Sequence, residues 1–171
     1  MTWLPFELHP DTPPETVLLR DYFKHLSPAQ LGQMHANLKA RADQLGLPMS
    51  PPPVLANTRR ALALAEYARD QGKLDHLHRP LFQAYFVLGQ NLYDEAVLRG
   101  VAQQAGLDPE QAMAAVLDGR YEERLDQAAA QARAYGISGV PTFIINRKYK
   151  VVGAHPYESL RDAIRQIARE A

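Results

Sequence analysis

Apolar positions recur at helical spacing over most of the chain, and the period turns strand-like only near the two ends. From Thr2 to Leu8 the apolar residues Trp3, Leu4, Phe6 and Leu8 alternate loosely, which predicts a short strand interrupted by Pro5. Thr12-Pro13-Pro14-Glu15 has the capping-box pattern with proline at the first helical position, and opens a helix to about Leu26. Ser27-Pro28-Ala29-Gln30 repeats the device ahead of a longer helix. Leu31, Met34, Leu38 and Leu45 share one face of it, and Gly46 ends it before Pro48. Ser50-Pro51-Pro52-Pro53 reads as a stiff connector.

Asn57 then caps a helix ending at Gly72. The helical pattern from Leu74 to Leu88 contains Pro80; an interior proline costs about 3 kcal/mol, so a kink or a restart is expected there. Further helices run from about Asp94 to Ala105, from Asp108-Pro109 to near Gly119, and from Tyr121 to Tyr135, stopped by Gly136. Thr142 to Ile145 and Tyr149 to Val152 are β-branched and aromatic runs separated by Asn146-Arg147-Lys148. They predict a hairpin in which Asn146 tolerates positive φ and Arg147 is less comfortable than glycine. Pro156 starts a last amphipathic helix with Leu160, Ile164 and Ile167 inward and Arg161, Arg165 and Arg169 outward. No solenoid-type repeat is visible.

Composition narrows the class without naming it. The 171 residues are 46% apolar and 22% charged, with 13 prolines and 10 glycines, as in an ordinary globular domain. The 19 basic and 19 acidic residues cancel and are interspersed, which argues against nucleic acid as a partner. The chain has no cysteine, hence no disulfide, no thiolate nucleophile and no Cys-ligated metal. The opening MTWLPFELHPDTPPE has neither a basic n-region nor a continuous apolar stretch. No apolar run approaches the ~20 residues of a membrane span, so a cytoplasmic protein without membrane contact is expected.

The groups that usually carry chemistry are scattered. His76 and His78 would point about 160° apart on a helix and cannot share one ion; His9, His25, His35 and His155 have no carboxylate at ligand spacing. No metal and no cofactor is expected. Glu122-Glu123 and Asp94-Glu95 diverge by about 100° within each pair, and first helical turns favour acidic groups, so both read as structural. Tyr85, Phe86 and Tyr93 read as core rather than pocket. No nucleophile elbow, P-loop or dinucleotide fingerprint is present. Val140-Pro141 is harder to dismiss: a proline between a glycine turn and an apolar strand removes a ladder donor, and local physics leaves its peptide bond open between cis and trans.

Four phrases, WLPFELHPDTPPE (Trp3 to Glu15), LALAEYARDQGKLDHLH (Leu62 to His78), LFQAYFVLGQN (Leu81 to Asn91) and GISGVPTFIINRKYKVVGAHPYESL (Gly136 to Leu160), resemble the FrnE-like branch of the DsbA family of thiol–disulfide oxidoreductases. The resemblance implies an α/β, mostly helical, thioredoxin-like fold of DsbA type with a large helical insertion. Residues 1–26 and 120–171 would form an incomplete thioredoxin-like domain and 27–119 the inserted helical domain. It also implies a cis bond at Val140-Pro141 and a substrate-binding loop of Gly139, Val140, Pro141 and Thr142, with the backbone of Val140 pairing with a peptide or protein thiol substrate. Asn57 matches an asparagine beside the groove in the related kappa glutathione transferases and hydroxychromene-carboxylate isomerases.

In such proteins a C-x-x-C pair lies ahead of the phrase matching WLPFEL, on a strand and helix with no counterpart here. Exchange needs a thiolate, so the chain holds no catalytic residue for it. Three readings follow: an oxidoreductase-family protein whose first strand and C-x-x-C precede Met1; a truncated, redox-inactive paralogue that binds peptides or partners; and a glutathione-dependent isomerase or transferase relative. The unpaired sheet edges left by a missing strand predict a dimer or higher oligomer.

Overall fold

The computed structural model describes residues 2–50, 52 and 54–169. Its elements run β1 (Val17–Leu18), α1 (Leu19–Tyr22), α2 (Pro28–Gln44), β2 (Val54–Leu55), α3 (Arg59–Asp70), α4 (Leu74–Phe86), α5 (Glu95–Gln104), α6 (Pro109–Leu117), α7 (Glu122–Ala134), β3 (Thr142–Ile145), β4 (Tyr149–Val152) and α8 (Tyr157–Arg169). Met1 and the connector's Pro51 and Pro53 lie outside the described residues. Two compact units divide the chain: His9–Asp126, and Met1–Leu8 with Gln127–Ala171.

The helical unit is built by local signals that the pattern exposes. Ser27 and Gln30 form a reciprocal capping box on α2. Asp94 and Asp108 cap α5 and α6, each accepting backbone N–H groups of the first turn. In this unit α3 packs on α4 and α6, and α5 on α4 and α6. Leu64, Leu77, Leu98, Val101 and Met113 are fully buried at the centre. Burying such a side chain contributes about 1.5–3 kcal/mol, so this cluster dominates the unit's stability. Tyr85 lies against the cluster with its hydroxyl donating to the Val54 carbonyl at 2.9 Å, and Arg60 stacks over Tyr93 at 4.0 Å.

Several expectations fail for identifiable reasons. Thr2 to Leu8 forms no strand: Pro5 has no N–H, and Trp3, Leu4 and Leu8 stay exposed. Thr12 caps no helix. Its hydroxyl donates to the His9 carbonyl, and an extended bridge at Val17–Leu18, paired antiparallel with Val54–Leu55, precedes a single helical turn. On α2, Leu31 and Ala42 are buried, but Leu38 and the C-cap Leu45 are exposed, so the expected apolar face is covered only in part. Of the expected kink or restart at Pro80, the restart does not occur, since α4 is one helix through it; His76, whose carbonyl loses its donor, lies exposed where solvent can serve it. Ile164 on α8 is 46% exposed although Ile167 is buried.

The other unit holds the hairpin. Its strands pair Thr142 with Val152 through Ile145 with Tyr149, and Lys148 N–H closes the turn on the Ile145 carbonyl at 3.1 Å. Asn146 and Arg147 both take left-handed φ, 53° and 57°, the signature of a type I′ turn. The reading of residue 147 as a strained turn position thus holds.

Candidate functional site

The approach to the hairpin is fixed at the end of α7. Gly136, at φ 59°, lets its own N–H bond Arg133 and the next residue's N–H reach back to Ala132, closing a Schellman motif that turns the chain out of the helix. Lys150 on β4 adds its ammonium to the carbonyls of Tyr135 and Gly136 at 3.1 and 3.0 Å. The loop Ser138 to Pro141 follows. Thr142 Oγ1 donates to the Gly139 carbonyl at 2.7 Å and holds the loop closed on itself. The Val140–Pro141 peptide bond is cis, and Val140 is 56% exposed.

One further bond decides what β3 offers to a ligand. The Gly153 N–H donates to the Pro141 carbonyl at 2.8 Å. In an antiparallel ladder the hydrogen-bonded pairs alternate, so residues 141, 143 and 145 turn their polar groups toward β4. Thr142 and Ile144 therefore direct N–H and C=O outward. The sheet has two strands, and no backbone group of a described residue hydrogen-bonds those outward groups. Gly139, Val140, Pro141 and Thr142 thus lie together in the loop that leads into β3.

Asn57 belongs to the helical unit, and its amide is engaged at both ends. Its Nδ2 donates to the Thr12 carbonyl at 2.6 Å, and its Oδ1 accepts the Arg59 N–H at 2.9 Å; the N-cap of α3 is the next residue, Thr58, not Asn57 as expected. Burial holds His9 below the ordinary imidazole value, with Tyr22 in hydrogen-bond reach of Nδ1 at 3.0 Å. Among the described residues no group of three or more His, Asp or Glu could hold a metal ion, and no helix is long and apolar enough to cross a membrane.

Sequence reasoning missed a charged cluster on α3. Glu66, 2% exposed, accepts from Arg69 at 3.0 Å and from Arg124 at 3.1 Å. Asp70 accepts from Arg124 at 2.9 Å and from the Tyr121 hydroxyl at 3.0 Å. The Arg124 bond is the main reason Asp70 lies below the usual carboxylate range. Burial, then the bond to Asp70, pushes Tyr121 up to about 12. All these charges are compensated, so the cluster is a fastening between α3 and the start of α7. Partners more than fifty positions apart leave no periodic trace to read.

Comparison with known proteins decides the family: the model of the DSBA-like thioredoxin domain matches residues 1–165. The chain belongs to the DSBA-like family. Its mostly helical architecture is a DsbA-like thioredoxin fold. A probable DsbA oxidoreductase from Streptomyces coelicolor is similar with a TM-score of 0.89 and 26% identity, over 97% of this chain and 74% of that one. The uncharacterised protein YwbO of Bacillus subtilis (strain 168) is 29% identical over 146 residues, 84% of this chain and 70% of its own length. A 2-hydroxychromene-2-carboxylate isomerase shares the fold, with a TM-score of 0.72 and 20% identity, over 88% of this chain and 71% of that one.

Proposed function

We propose that this DSBA-like chain forms the peptide-holding side of a protein thiol–disulfide exchange site. The backbone of Val140 receives that of an extended substrate, Gly139 and Thr142 keep the loop shaped, and Pro141 marks the strand entry. The observation that carries this reading is the exposed Val140 ahead of a cis Pro141, in a loop closed by the Thr142 hydroxyl on the Gly139 carbonyl. An exposed loop backbone of this kind recognises extended peptide through main-chain bonds. Asn57, already engaged in the helical unit, fixes the turn ahead of α3.

The reacting sulfur is not supplied by these residues, since none is cysteine. Exchange proceeds by thiolate attack on a disulfide sulfur, so this chain's share is to hold and orient the peptide. The same surface suits a second reading, a module that binds and releases peptide without exchange chemistry; none of these 171 residues can supply a thiolate. An open strand edge also admits a second copy of the chain, giving a dimer.

Two measurements test the proposal. In insulin reduction by dithiothreitol, the 171-residue chain is expected to give no acceleration. Titration with an extended peptide bearing a disulfide is expected to shift the amide resonances of Gly139, Val140 and Thr142. Turnover by pure chain would overturn the division of labour, and peptide binding that leaves those amides unmoved would overturn the site.

A further inference from the structure

The loop that carries Val140 is fastened near both of its ends, and both fasteners stand on one face of the hairpin. At the far end Thr142 Oγ1 donates to the Gly139 carbonyl at 2.7 Å. At the near end the Lys150 ammonium donates to the carbonyls of Tyr135 and Gly136 at 3.1 and 3.0 Å. The register pairs Thr142 with Val152 and Ile144 with Lys150. Side chains two apart on a strand share a face, as do those directly opposite across a ladder, so Thr142 and Lys150 project from the same side of β3 and β4. Only Ile137 and Ser138 lie between the fastened carbonyls of Gly136 and Gly139, and Val140 follows at once.

Lysine is an uncommon choice for that strand position. It is depleted in strands, and its companions in β4, Tyr149, Val151 and Val152, are aromatic or β-branched. Here it folds back onto a helix end, with Nζ only 3.6 Å from where a side chain on Gly136 would begin. Carbonyls at the end of a helix have no donor within it, and Lys150 serves two of them at once. A cation also suits that pole of the helix dipole. From Gln127 to Tyr157 the sequence has no Asp or Glu, so this stretch offers the ammonium no carboxylate in place of the carbonyls.

We propose that Lys150 is a positioning residue of the peptide-holding loop: from the far strand of the hairpin it sets where the Val140 backbone stands. This rests on the Val140 reading above and adds the device that orients it. With the Gly136 and Gly139 carbonyls tied to one hairpin face, Ile137 to Gly139 keep little freedom, and the Val140 backbone is in place before a peptide arrives. Ordering a loop in advance removes that ordering from the cost of binding. Without the ammonium, the near end keeps the Schellman bonds of Gly136 and Ile137, which close the helix and do not reach the hairpin.

The test uses the full chain as parent, Lys150→Met and Lys150→Arg, titrated with the same extended, disulfide-bearing peptide. Methionine keeps an unbranched stem without a donor, and arginine keeps the charge and donors enough for both carbonyls. Affinity is read by titration, position by amide shifts and fold by melting temperature. Lys150→Met is expected to bind about three- to ten-fold more weakly, the worth of roughly one net hydrogen bond of loop order. Its free-state amides should move at Ser138, Gly139 and Val140 and stay in place at Phe143, Ile145 and Val151. Lys150→Arg is expected to bind within about two-fold of the parent. A merely structural lysine would lower the melting temperature of Lys150→Met and leave its affinity unchanged; that result overturns the positioning role and leaves the Val140 site standing. Equal weakening in Lys150→Arg, or ladder amides that move with the loop, overturns it as well. A parent that shows no peptide-induced shift at Gly139, Val140 and Thr142 overturns the docking reading, and the positioning role with it.

Discussion

Replacing Glu66 by Gln isolates the contribution of the compensated charges on α3. The carboxylate is 2% exposed and accepts from two guanidiniums, those of Arg69 and Arg124. Gln keeps the volume, removes the charge, and turns an NH2 toward groups that only donate. Each charge-assisted hydrogen bond contributes about 1.5–3 kcal/mol when well formed. The arginine side chains remain 29% and 44% exposed, so water takes over part of what they lose. The expected net cost is therefore about 2 kcal/mol, below the 3–5 typical of breaking a fully desolvated pair. For a chain of this size that lowers the melting temperature by about 4–8 °C. Thermal unfolding followed by far-ultraviolet circular dichroism reads the shift. Asp43→Asn, which breaks an exposed pair with Lys39, serves as the control, at under about 0.5 kcal/mol. A Glu66→Gln melt within a degree of the parent would refute the claim that burial makes this cluster matter. A double-mutant cycle with Arg124→Gln would then be expected to show no coupling.

Three other outcomes follow from the same geometry. Tyr121 is held up to about 12, above the ordinary value near 10, so its contribution is complete below pH ~10 and is lost as pH rises through about 12. The stability gap between the parent and Tyr121→Phe should close across that window, and a phenolate titration showing every tyrosine ionising together near 10 would contradict it. Arg147→Gly relieves a left-handed arginine and should stabilise the hairpin unit by up to about 1 kcal/mol, read as a raised melting temperature; a lowered one would mean the side chain supports the fold. Sedimentation at micromolar concentration should show a dimer or larger species, and a clean monomer would remove the second copy from the occupants of the β3 edge.

Legibility in the sequence followed the range of the interaction. The capping box of Ser27 and Gln30, the caps at Asp94 and Asp108, the glycine stop at Gly136 and the hairpin turn are all decided within a few residues, and each could be read directly. Exposure of Leu38, Leu45 and Ile164 could not, because periodicity shows which face is apolar and not whether anything packs on it. The same limit explains Thr2 to Leu8: alternation is permissive, and a strand exists only with a partner. Thr12 shows a competition between local options, since its hydroxyl found the His9 carbonyl before any helix N–H. The residues of the docking loop were visible in GVPT. Which polar groups of β3 face outward was not, because that parity hangs on one bond between Gly153 and Pro141.

The Lys150 ammonium gives the hairpin a chemical vulnerability that its backbone lacks. It joins β4 to the carbonyls of Tyr135 and Gly136, the dipolar end of a helix rather than a carboxylate. Acylation of that nitrogen would remove its charge and most of its donors while leaving every ladder bond of β3 and β4 in place. The strands would then persist as a pair, released from the helix terminus that sets the start of their loop.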